Sequence, residues 1–483
     1  LVYENTTDPN LYIGMGVTEG EEFGTLNIST GTDGFEQYYI DLRKSGVPKP
    51  GAQWTALQRG FDHKTSIMDY DPKSDRLLVM TEVDAPNYRL VAVDPAEPAQ
   101  ADWKDLIPQR NYLLQSVSTG GGKLFADYLK DATTRIFQFN ADGSGEQEIK
   151  LPDLGSAGGF GCKRNETFCF YSFSSFTDPG SIYKYDITTG KSELYHRVEL
   201  KFDPTQYITE QVFYPSKDGT KVPMFIVHRK DVKPTGNNPA LLYAYGGFNI
   251  SLTPSFGVSR MLLLEQGGVF AMANLRGGGE YGEAWHKAGW RDKKQNVFDD
   301  FIAAAEYLIA QKWTDKAHLA VNGGSNGGLL IGAVETQRPD LFQVCFPEVG
   351  VLDMLRYHKF TAGFGWIPEY GCADSSKAEF DNLYAYSPLH NVKPGTAYPA
   401  TLVMTADHDD RVVPANSFKY ISALQAAQAG DAPVLIRIEH NAGHGAGMPT
   451  SKIIEQQADK WAFFFHNIGV EPKYPELKAP LKK

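Results

Sequence analysis

The chain has 483 residues, of which 42% are hydrophobic and 22% charged, so it has the composition of a globular protein that is too long for one ordinary core. It carries 58 acidic and 47 basic residues, and the resulting net charge of −11 argues against a nucleic-acid partner. No segment has the apolar length of a membrane-spanning helix, and the four cysteines lack the spacing of a zinc site or a disulfide framework. We therefore expect no membrane, metal or nucleic-acid partner.

Short β-strands separated by turn residues fill the first 200 residues, and they repeat. Alternating strands run into turns at Asp41, Asp94, Asn140 and Asp186, which are 53, 46 and 46 positions apart. A period near fifty residues, with about four strands per unit, indicates the blades of a β-propeller; a β-sandwich with accidentally regular spacing is the alternative. About four blades are visible, and the chain starts as if in mid-strand. We therefore predict part of a β-propeller over residues 1–198, with further blades upstream.

Strands alternate with helices after residue 200, which predicts a parallel sheet covered on both faces. The predicted elements in this half are buried strands at 239–245, 268–274, 344–349, 399–405 and 434–438, and helices at 298–309 and 451–465. Together with the serine motif described next, this order predicts an α/β-hydrolase catalytic domain over residues 199–483.

A Gly-x-Ser-x-Gly motif is centred on Ser325, between an apolar strand and a helix-forming run. Such a turn is strained, so residues next to the serine need to be glycines, and it lifts the hydroxyl off the sheet toward backbone N–H groups of the helix. A glycine-rich turn with a bystander serine is the simpler alternative. The flanking strand and helix favour the interpretation that Ser325 is a nucleophile.

A serine nucleophile needs a base and an orienting acid, which follow it in the order Asp, His on loops after later strands in hydrolases of this type. The loop after the strand at 399–405 offers Asp407, Asp409 and Asp410, and physical reasoning from the sequence does not separate them. The loop after the strand at 434–438 contains His440 and His444. His444 lies between glycines and is the candidate base, whereas His440 is nearer the strand and is predicted to be structural.

Several segments, taken together and in order, resemble the prolyl oligopeptidase family. They are residues 84–89, 213–225, 243–248, 274–282, 323–328, 405–414 and 442–445. The resemblance implies an α/β-hydrolase domain with a seven-bladed propeller, and an N-terminal segment that packs on the hydrolase domain. It therefore implies that a missing N-terminal portion of the same protein packs on this chain.

The resemblance also assigns roles to individual residues. The acid falls on Asp409, and the oxyanion is held by the backbone N–H of Asn326 and the phenol of Tyr245. Trp366 occupies the position that stacks on the proline ring, and Arg411 binds a substrate carbonyl; a purely structural role for Arg411, clamping Asp409, is compatible with this. The rest of the implied substrate pocket comprises Phe248, Val351, Tyr370 and Val412.

The expected function is that of a serine endopeptidase that cleaves short peptides after proline and needs no cofactor. The absence of a signal peptide, together with the family, favours the cytoplasm. Three alternatives are weighed. Transfer of the acyl group to a peptide amine would make the chain a macrocyclase on the same fold. Cleavage after basic residues would need carboxylates in the pocket, where Trp366, Phe248 and Val412 stand instead. The third alternative is a non-catalytic propeller scaffold, and the intact set of Ser325, Asp409 and His444 argues against it.

Overall fold

The computed structural model describes residues 1–31, 34–445 and 447–473. It consists of four separate four-stranded antiparallel sheets, followed by one eight-stranded sheet flanked by helices. We refer to the four small sheets as blades 1 to 4, in chain order. Among the described residues, no helix combines the length and the apolar character needed to cross a membrane.

Each blade is a meander of consecutive strands. Blade 1 consists of β1 (Tyr12–Val17), β2 (Phe23–Ser29), β3 (Phe35–Asp41) and β4 (Thr55–Gln58), with the short helix α1 (Leu42–Ser45) before β4. Blade 2 consists of β5 (Thr65–Asp71), β6 (Arg76–Thr81), β7 (Arg89–Val93) and β8 (Lys104–Ile107). Blade 3 consists of β9 (Leu113–Gly120), β10 (Lys123–Lys130), β11 (Thr133–Asn140) and β12 (Gln147–Ile149). Blade 4 consists of β13 (Ser156–Gly158), β14 (Phe168–Ser174), β15 (Ser181–Asp186) and β16 (Lys191–His196).

The repeating Asp and Asn turns mark the end of the third strand in every blade, as the period predicted. Asp41, Asn140 and Asp186 are the last residues of β3, β11 and β15, and Asp94 directly follows β7. The Asp186 carboxylate accepts hydrogen bonds from the backbone N–H groups of Thr188 and Thr189, at 3.0 and 2.8 Å. A short acidic side chain at this point stabilises the turn by binding the N–H groups that the strand pairing leaves free.

Adjacent blades cover each other's apolar faces. One cluster joins blades 1 and 2 through residues such as Phe23 and Leu77, and another joins blades 2 and 3 through residues such as Leu90 and Leu124. A third cluster joins blades 3 and 4 around Phe125. This mutual burial explains why the repeat is visible in the sequence, because every blade must present the same apolar pattern to its neighbour.

The eight-stranded sheet has the order β17-β18-β20-β19-β21-β22-β23-β24. Its strands are β17 (Tyr207–Pro215), β18 (Lys221–Arg229), β19 (Ala240–Tyr243), β20 (Val269–Ala273), β21 (Leu319–Gly324), β22 (Val344–Glu348), β23 (Ala400–Ala406) and β24 (Val434–Glu439). The pairs β17–β18 and β18–β20 are antiparallel, and the strands from β20 to β24 are parallel. The predicted α/β-hydrolase domain is confirmed, and every strand predicted in this half exists within two residues of its expected bounds.

Helices lie on both faces of this sheet. They are α2 (Val258–Glu265), α3 (Glu283–Lys287), α4 (Gln295–Ala310), α5 (Asn326–Gln337), α6 (Ile367–Tyr370), α7 (Lys377–Tyr386), α8 (Ala415–Ala427) and α9 (Thr450–Asn467). Phe298 of α4 and Leu330 of α5 belong to one buried cluster, whereas Leu263 of α2 and Trp461 of α9 belong to another. The loops that follow β21, β23 and β24 leave the same edge of the sheet, because the carboxyl ends of parallel strands lie together.

Candidate active site

Ser325 lies at a sharp turn between β21 and α5. Its backbone has φ 58° and ψ −116°, in the left-handed region that a residue with a side chain rarely adopts, at a cost of about 1–3 kcal/mol. The turn is held by hydrogen bonds from the Ser325 N–H to the Glu348 carbonyl at 2.9 Å and from the Gly328 N–H to the Ser325 carbonyl at 2.9 Å. The strained turn expected from Gly-x-Ser-x-Gly is therefore present.

Close backbone contacts explain the glycines around Ser325. A Cβ atom on Gly323 would lie 2.4 Å from the Gly327 carbonyl oxygen, and one on Gly328 would lie 2.5 Å from the Glu348 carbonyl oxygen. Neither backbone atom can move away as a flexible side chain could. Any larger residue at these two positions would push β21, α5 and β22 apart and displace the serine.

Asp409 and His444 are in direct contact, although they belong to loops after different strands. The Nδ1 of His444 lies 2.6 Å from Oδ2 of Asp409, whose side chain is fully buried. The other carboxylate oxygen accepts hydrogen bonds from the backbone N–H groups of Arg411 and Val412, at 3.1 and 2.8 Å. This pairing occupies Nδ1 and orients the imidazole, and within the described part of the chain its Nε2 forms no hydrogen bond.

The other two acids of the same loop lie elsewhere, and this is the distinction that sequence reasoning alone left open. Asp410 is exposed. Asp407 contacts His408 at 2.6 Å and His440 at 3.2 Å, and the His440 side chain is 79% exposed. His440 is thus part of a surface pair and is separate from the contact between Asp409 and His444.

Tyr245 follows β19 and is half-buried beside the serine. Burial is the main reason that the pKa of its phenol rises to about 12. The positive charge of Arg411 and a hydrogen bond with the Ser325 side chain partly offset this rise. The phenol is therefore neutral at ordinary pH and able to donate a hydrogen bond to a developing anion. The backbone N–H of Asn326 lies in the first turn of α5, where N–H groups have no partner within the helix.

The Asn326 side chain is buried and holds three neighbours in place. Its amide nitrogen donates to the Tyr245 carbonyl at 2.6 Å, and its oxygen accepts from the Tyr370 hydroxyl at 2.9 Å and from Lys294 Nζ at 3.1 Å. Lys294 also donates to the Gly246 carbonyl at 2.8 Å, and burial lowers its pKa to about 8. The sequence offered no signal for Lys294, because a single lysine at the start of a helix is usually a surface residue.

The five residues expected to form the substrate pocket belong to one apolar cluster. Val351, Tyr370 and Val412 are buried in it, and Phe248 and Trp366 pack against it while remaining partly exposed. The Trp366 ring is nearly parallel to that of Tyr357, with centroids 6.2 Å apart, and the Phe248 ring stands at 90° to that of Tyr370. A flat aromatic face and apolar walls suit a rigid apolar ring that offers no N–H.

Arg411 is exposed next to this pocket. It contacts Asp409 through its backbone N–H, and its guanidinium forms no ion pair with any residue in the described parts of the chain. The guanidinium is therefore available to a ligand. The contact with Asp409, which was the alternative role of Arg411, is made by its backbone N–H.

Reasoning from the sequence also missed a buried acid, Glu369, and a buried histidine, His286, which lie next to the pocket. Glu369 accepts a hydrogen bond from the Phe248 N–H at 2.7 Å and lies 2.8 Å from Nε2 of His286. Both side chains are almost fully buried. Glu369 lies three residues after Trp366, but nothing in the local pattern indicated its partners.

Comparison with known proteins agrees with this architecture. The model for "Prolyl oligopeptidase, N-terminal beta-propeller domain" matches residues 1–198, and that for "Prolyl oligopeptidase family" matches residues 254–471. The propeller interpretation is thus confirmed, whereas the expectation of further blades upstream stays a prediction.

Individual relatives agree over nearly the whole chain. A prolyl endopeptidase of Elizabethkingia meningoseptica is 48% identical over 96% of this chain, which spans 64% of that protein. The dual function macrocyclase-peptidase POPB of Galerina marginata is 35% identical over 99% of this chain, which spans 66% of it. A solved structure from a study of two prolyl endopeptidases has a TM-score of 0.92 and 46% identity, covering 97% of this chain and 68% of that one. The chain belongs to the prolyl oligopeptidase family.

Proposed function

We propose that this chain is a serine endopeptidase that cleaves short peptides on the carboxyl side of proline. The observation that carries the proposal is the pairing of His444 with the buried Asp409 on loops that leave the same sheet edge as the strained turn at Ser325. Family membership supports it, and two relatives that match 96% of this chain are named prolyl endopeptidases. The chain spans 64% of the length of these two relatives, so their activity comes to it as a proposal.

The mechanism follows from the roles of these groups. His444 takes the proton of the Ser325 hydroxyl as the oxygen attacks the proline carbonyl, and Asp409 stabilises the imidazolium that forms. The Tyr245 phenol and the Asn326 N–H bind the oxyanion of the tetrahedral intermediate. His444 then protonates the departing amine, which leaves an acyl-enzyme at Ser325, and a water molecule activated by His444 hydrolyses it. No step needs a metal or an organic cofactor.

Specificity for proline is assigned to the aromatic pocket. The pyrrolidine ring stacks on Trp366 and is enclosed by Phe248, Val351, Tyr370 and Val412, while Arg411 donates to a carbonyl of the substrate backbone. This arrangement contains no acidic side chain among the proposed pocket residues, which disfavours arginine or lysine before the cleaved bond. Short proline-containing peptides are therefore the proposed partners, and the cytoplasm is the proposed location.

Macrocyclisation is the second candidate function. The acyl-enzyme would then be attacked by the amine of the same peptide instead of water. One relative, 35% identical, is named a dual function macrocyclase-peptidase. The two outcomes differ in product mass by one water molecule, so mass spectrometry of a long proline-containing peptide after incubation distinguishes them.

The activity is tested with two fluorogenic reporters, blocked Gly-Pro and blocked Gly-Arg. The proposal expects cleavage of Gly-Pro that Ser325→Ala abolishes, with labelling of the unmodified chain by an active-site serine probe as the folding control. Preferential cleavage of Gly-Arg would overturn the assignment of the Trp366 pocket. Probe labelling without turnover of either reporter would count against hydrolysis after proline.

A further inference from the structure

A series of alternately charged side chains connects blade 2 to the substrate pocket. It begins at Lys64, which directly precedes β5 and whose Nζ lies 2.8 Å from Oε2 of Glu283, at the start of α3. Both side chains are largely buried, with 14% and 13% of their surface exposed. This ion pair therefore joins the propeller to the catalytic domain in a place where water screens it little.

Glu283 binds two further groups of the catalytic domain. Its Oε1 lies 3.0 Å from Nδ1 of His286, and its Oε2 accepts a hydrogen bond from the Asn249 side chain at 3.3 Å. His286 is fully buried, and its second ring nitrogen contacts Glu369 at 2.8 Å. The imidazole thus bridges two carboxylates, one at the domain contact and one under the pocket.

Glu369 completes the series by holding the pocket loop. Its Oε1 accepts the backbone N–H of Phe248 at 2.7 Å, and the next residue in the chain, Tyr370, is part of the pocket wall. Phe248 and Asn249 both have left-handed backbones, with φ 58° and 56°, which residues with side chains adopt only when their surroundings enforce it. Glu369 and Glu283 each hold one of these two strained residues.

Charge alternation favours the ionised forms of Glu283 and His286. Burial alone would raise the pKa of Glu283, but His286 and Lys64 outweigh it and lower that pKa to about 2. Burial would likewise lower the pKa of His286, but hydrogen bonds to Glu283 and Glu369 outweigh it and leave the pKa raised. Removing one of the four side chains leaves a buried charge with fewer partners. This destabilises the folded chain, and the neighbouring side chains are expected to move.

We propose that Lys64, Glu283, His286 and Glu369 are positioning residues of the proline pocket, through which the contact with blade 2 sets the backbone at Phe248. The identity of the pocket's ligand rests on the proposed function. None of the four residues is placed at the reacting atoms. Each acts through the next residue of the series, and Glu369 acts through the backbone of Phe248. The preference of the pocket for proline should therefore weaken when Lys64 is removed.

The test measures binding separately from turnover. In a Ser325→Ala background, calorimetry measures the affinity for two blocked hexapeptides that differ only in Pro or Ala at the position before the cleaved bond. Lys64→Met should reduce the preference for the proline peptide by about tenfold, as the loss of one charge-assisted contact predicts. Glu369→Gln, which keeps an oxygen for the Phe248 N–H but loses the charge facing His286, should change the preference in the same direction.

Two control variants separate positioning from a general loosening of the domain contact. Lys64→Arg keeps the cation and should retain the preference. Ser156→Ala removes another hydrogen bond between propeller and catalytic domain, from the Ser156 hydroxyl to the Pro254 carbonyl at 2.8 Å, and should leave the preference unchanged. Thermal denaturation of each variant checks that the fold is intact.

The outcomes distinguish this inference from the proposed function. An unchanged proline preference in a folded Lys64→Met variant, or an equal loss in Ser156→Ala, would overturn the positioning role. Turnover of the Gly-Pro reporter by the chain with Ser325 intact is measured in parallel. A Lys64-dependent preference without turnover would support the positioning role and refute the peptidase. The absence of both a proline preference and turnover would refute both.

Discussion

Replacing Tyr245 by Phe tests the oxyanion role with the smallest possible change. The substitution removes one hydroxyl and keeps the ring that packs after β19. Two donors are assigned to the oxyanion, and the Asn326 N–H remains, so the variant loses one of them. The loss of one such donor costs about 2.7–4 kcal/mol in the transition state, which is a fall of about 10²–10³ in kcat.

The structure also predicts how this effect depends on pH. Burial raises the pKa of Tyr245 to about 12, so the phenol is a neutral donor throughout the range in which a histidine base operates. The ratio of kcat between the unmodified chain and Tyr245→Phe should therefore be constant between about pH 6 and pH 9. KM should change little, because the oxyanion exists only after the nucleophile has attacked.

The assay is steady-state cleavage of the Gly-Pro reporter, with Tyr243→Phe as the matched control. Tyr243 is the last residue of β19 and packs in the cluster on the α2 and α9 side of the sheet, so its hydroxyl is not assigned to the oxyanion. A kcat for Tyr245→Phe within twofold of the unmodified value would refute the reasoning. So would a change confined to KM, or an equal loss in Tyr243→Phe.

Three further predictions concern the base, the pocket and the core. Asp409→Asn should lower kcat by about 10⁴, because an amide facing His444 favours the wrong tautomer, whereas Asp407→Asn should have little effect; reporter kinetics check both. Trp366→Ala should lower kcat/KM for Gly-Pro by about 10- to 100-fold and leave a Gly-Ala reporter nearly unchanged; equal losses would contradict stacking on proline. Burial raises the pKa of Glu335 from 4.5 to about 7 in the folded chain. As pH rises through this interval, the unfolded chain loses this proton before the folded chain does, so the free energy of unfolding falls by at most ~3 kcal/mol. Glu335→Gln should therefore raise the melting temperature more at pH 8 than at pH 5, and a shift that is the same at both pH values would count against a buried, protonated carboxyl.

Local patterns in the sequence were sufficient for the fold. The blade period was visible because each blade covers its neighbour and must repeat the same alternation, and its turns end the third strand of each blade. The strand and helix alternation was visible because buried parallel strands are continuous apolar runs. Ser325 was identifiable as a candidate nucleophile from a local pattern as well, because the positions that require glycine lie close to it along the chain.

Partners that meet from distant parts of the chain could not be read in this way. Asp407, Asp409 and Asp410 are chemically equivalent in the sequence, and only folding shows that Asp409 is the one that meets His444, 35 positions later. The resemblance to a family supplied that choice in advance, but the residue pattern did not.

The charged series under the pocket depends entirely on tertiary structure. Its contacts join residues that are 219, 83 and 121 positions apart, from Lys64 to Glu283, from His286 to Glu369 and from Phe248 to Glu369. A lysine, a glutamate or a histidine has no local signature that reveals whether it will be buried, because the same residue on a surface has the same neighbours in sequence. The sequence alone therefore determined the two domains and the position of the candidate nucleophile, and the packing of the propeller on the catalytic domain decided which charges surround the pocket.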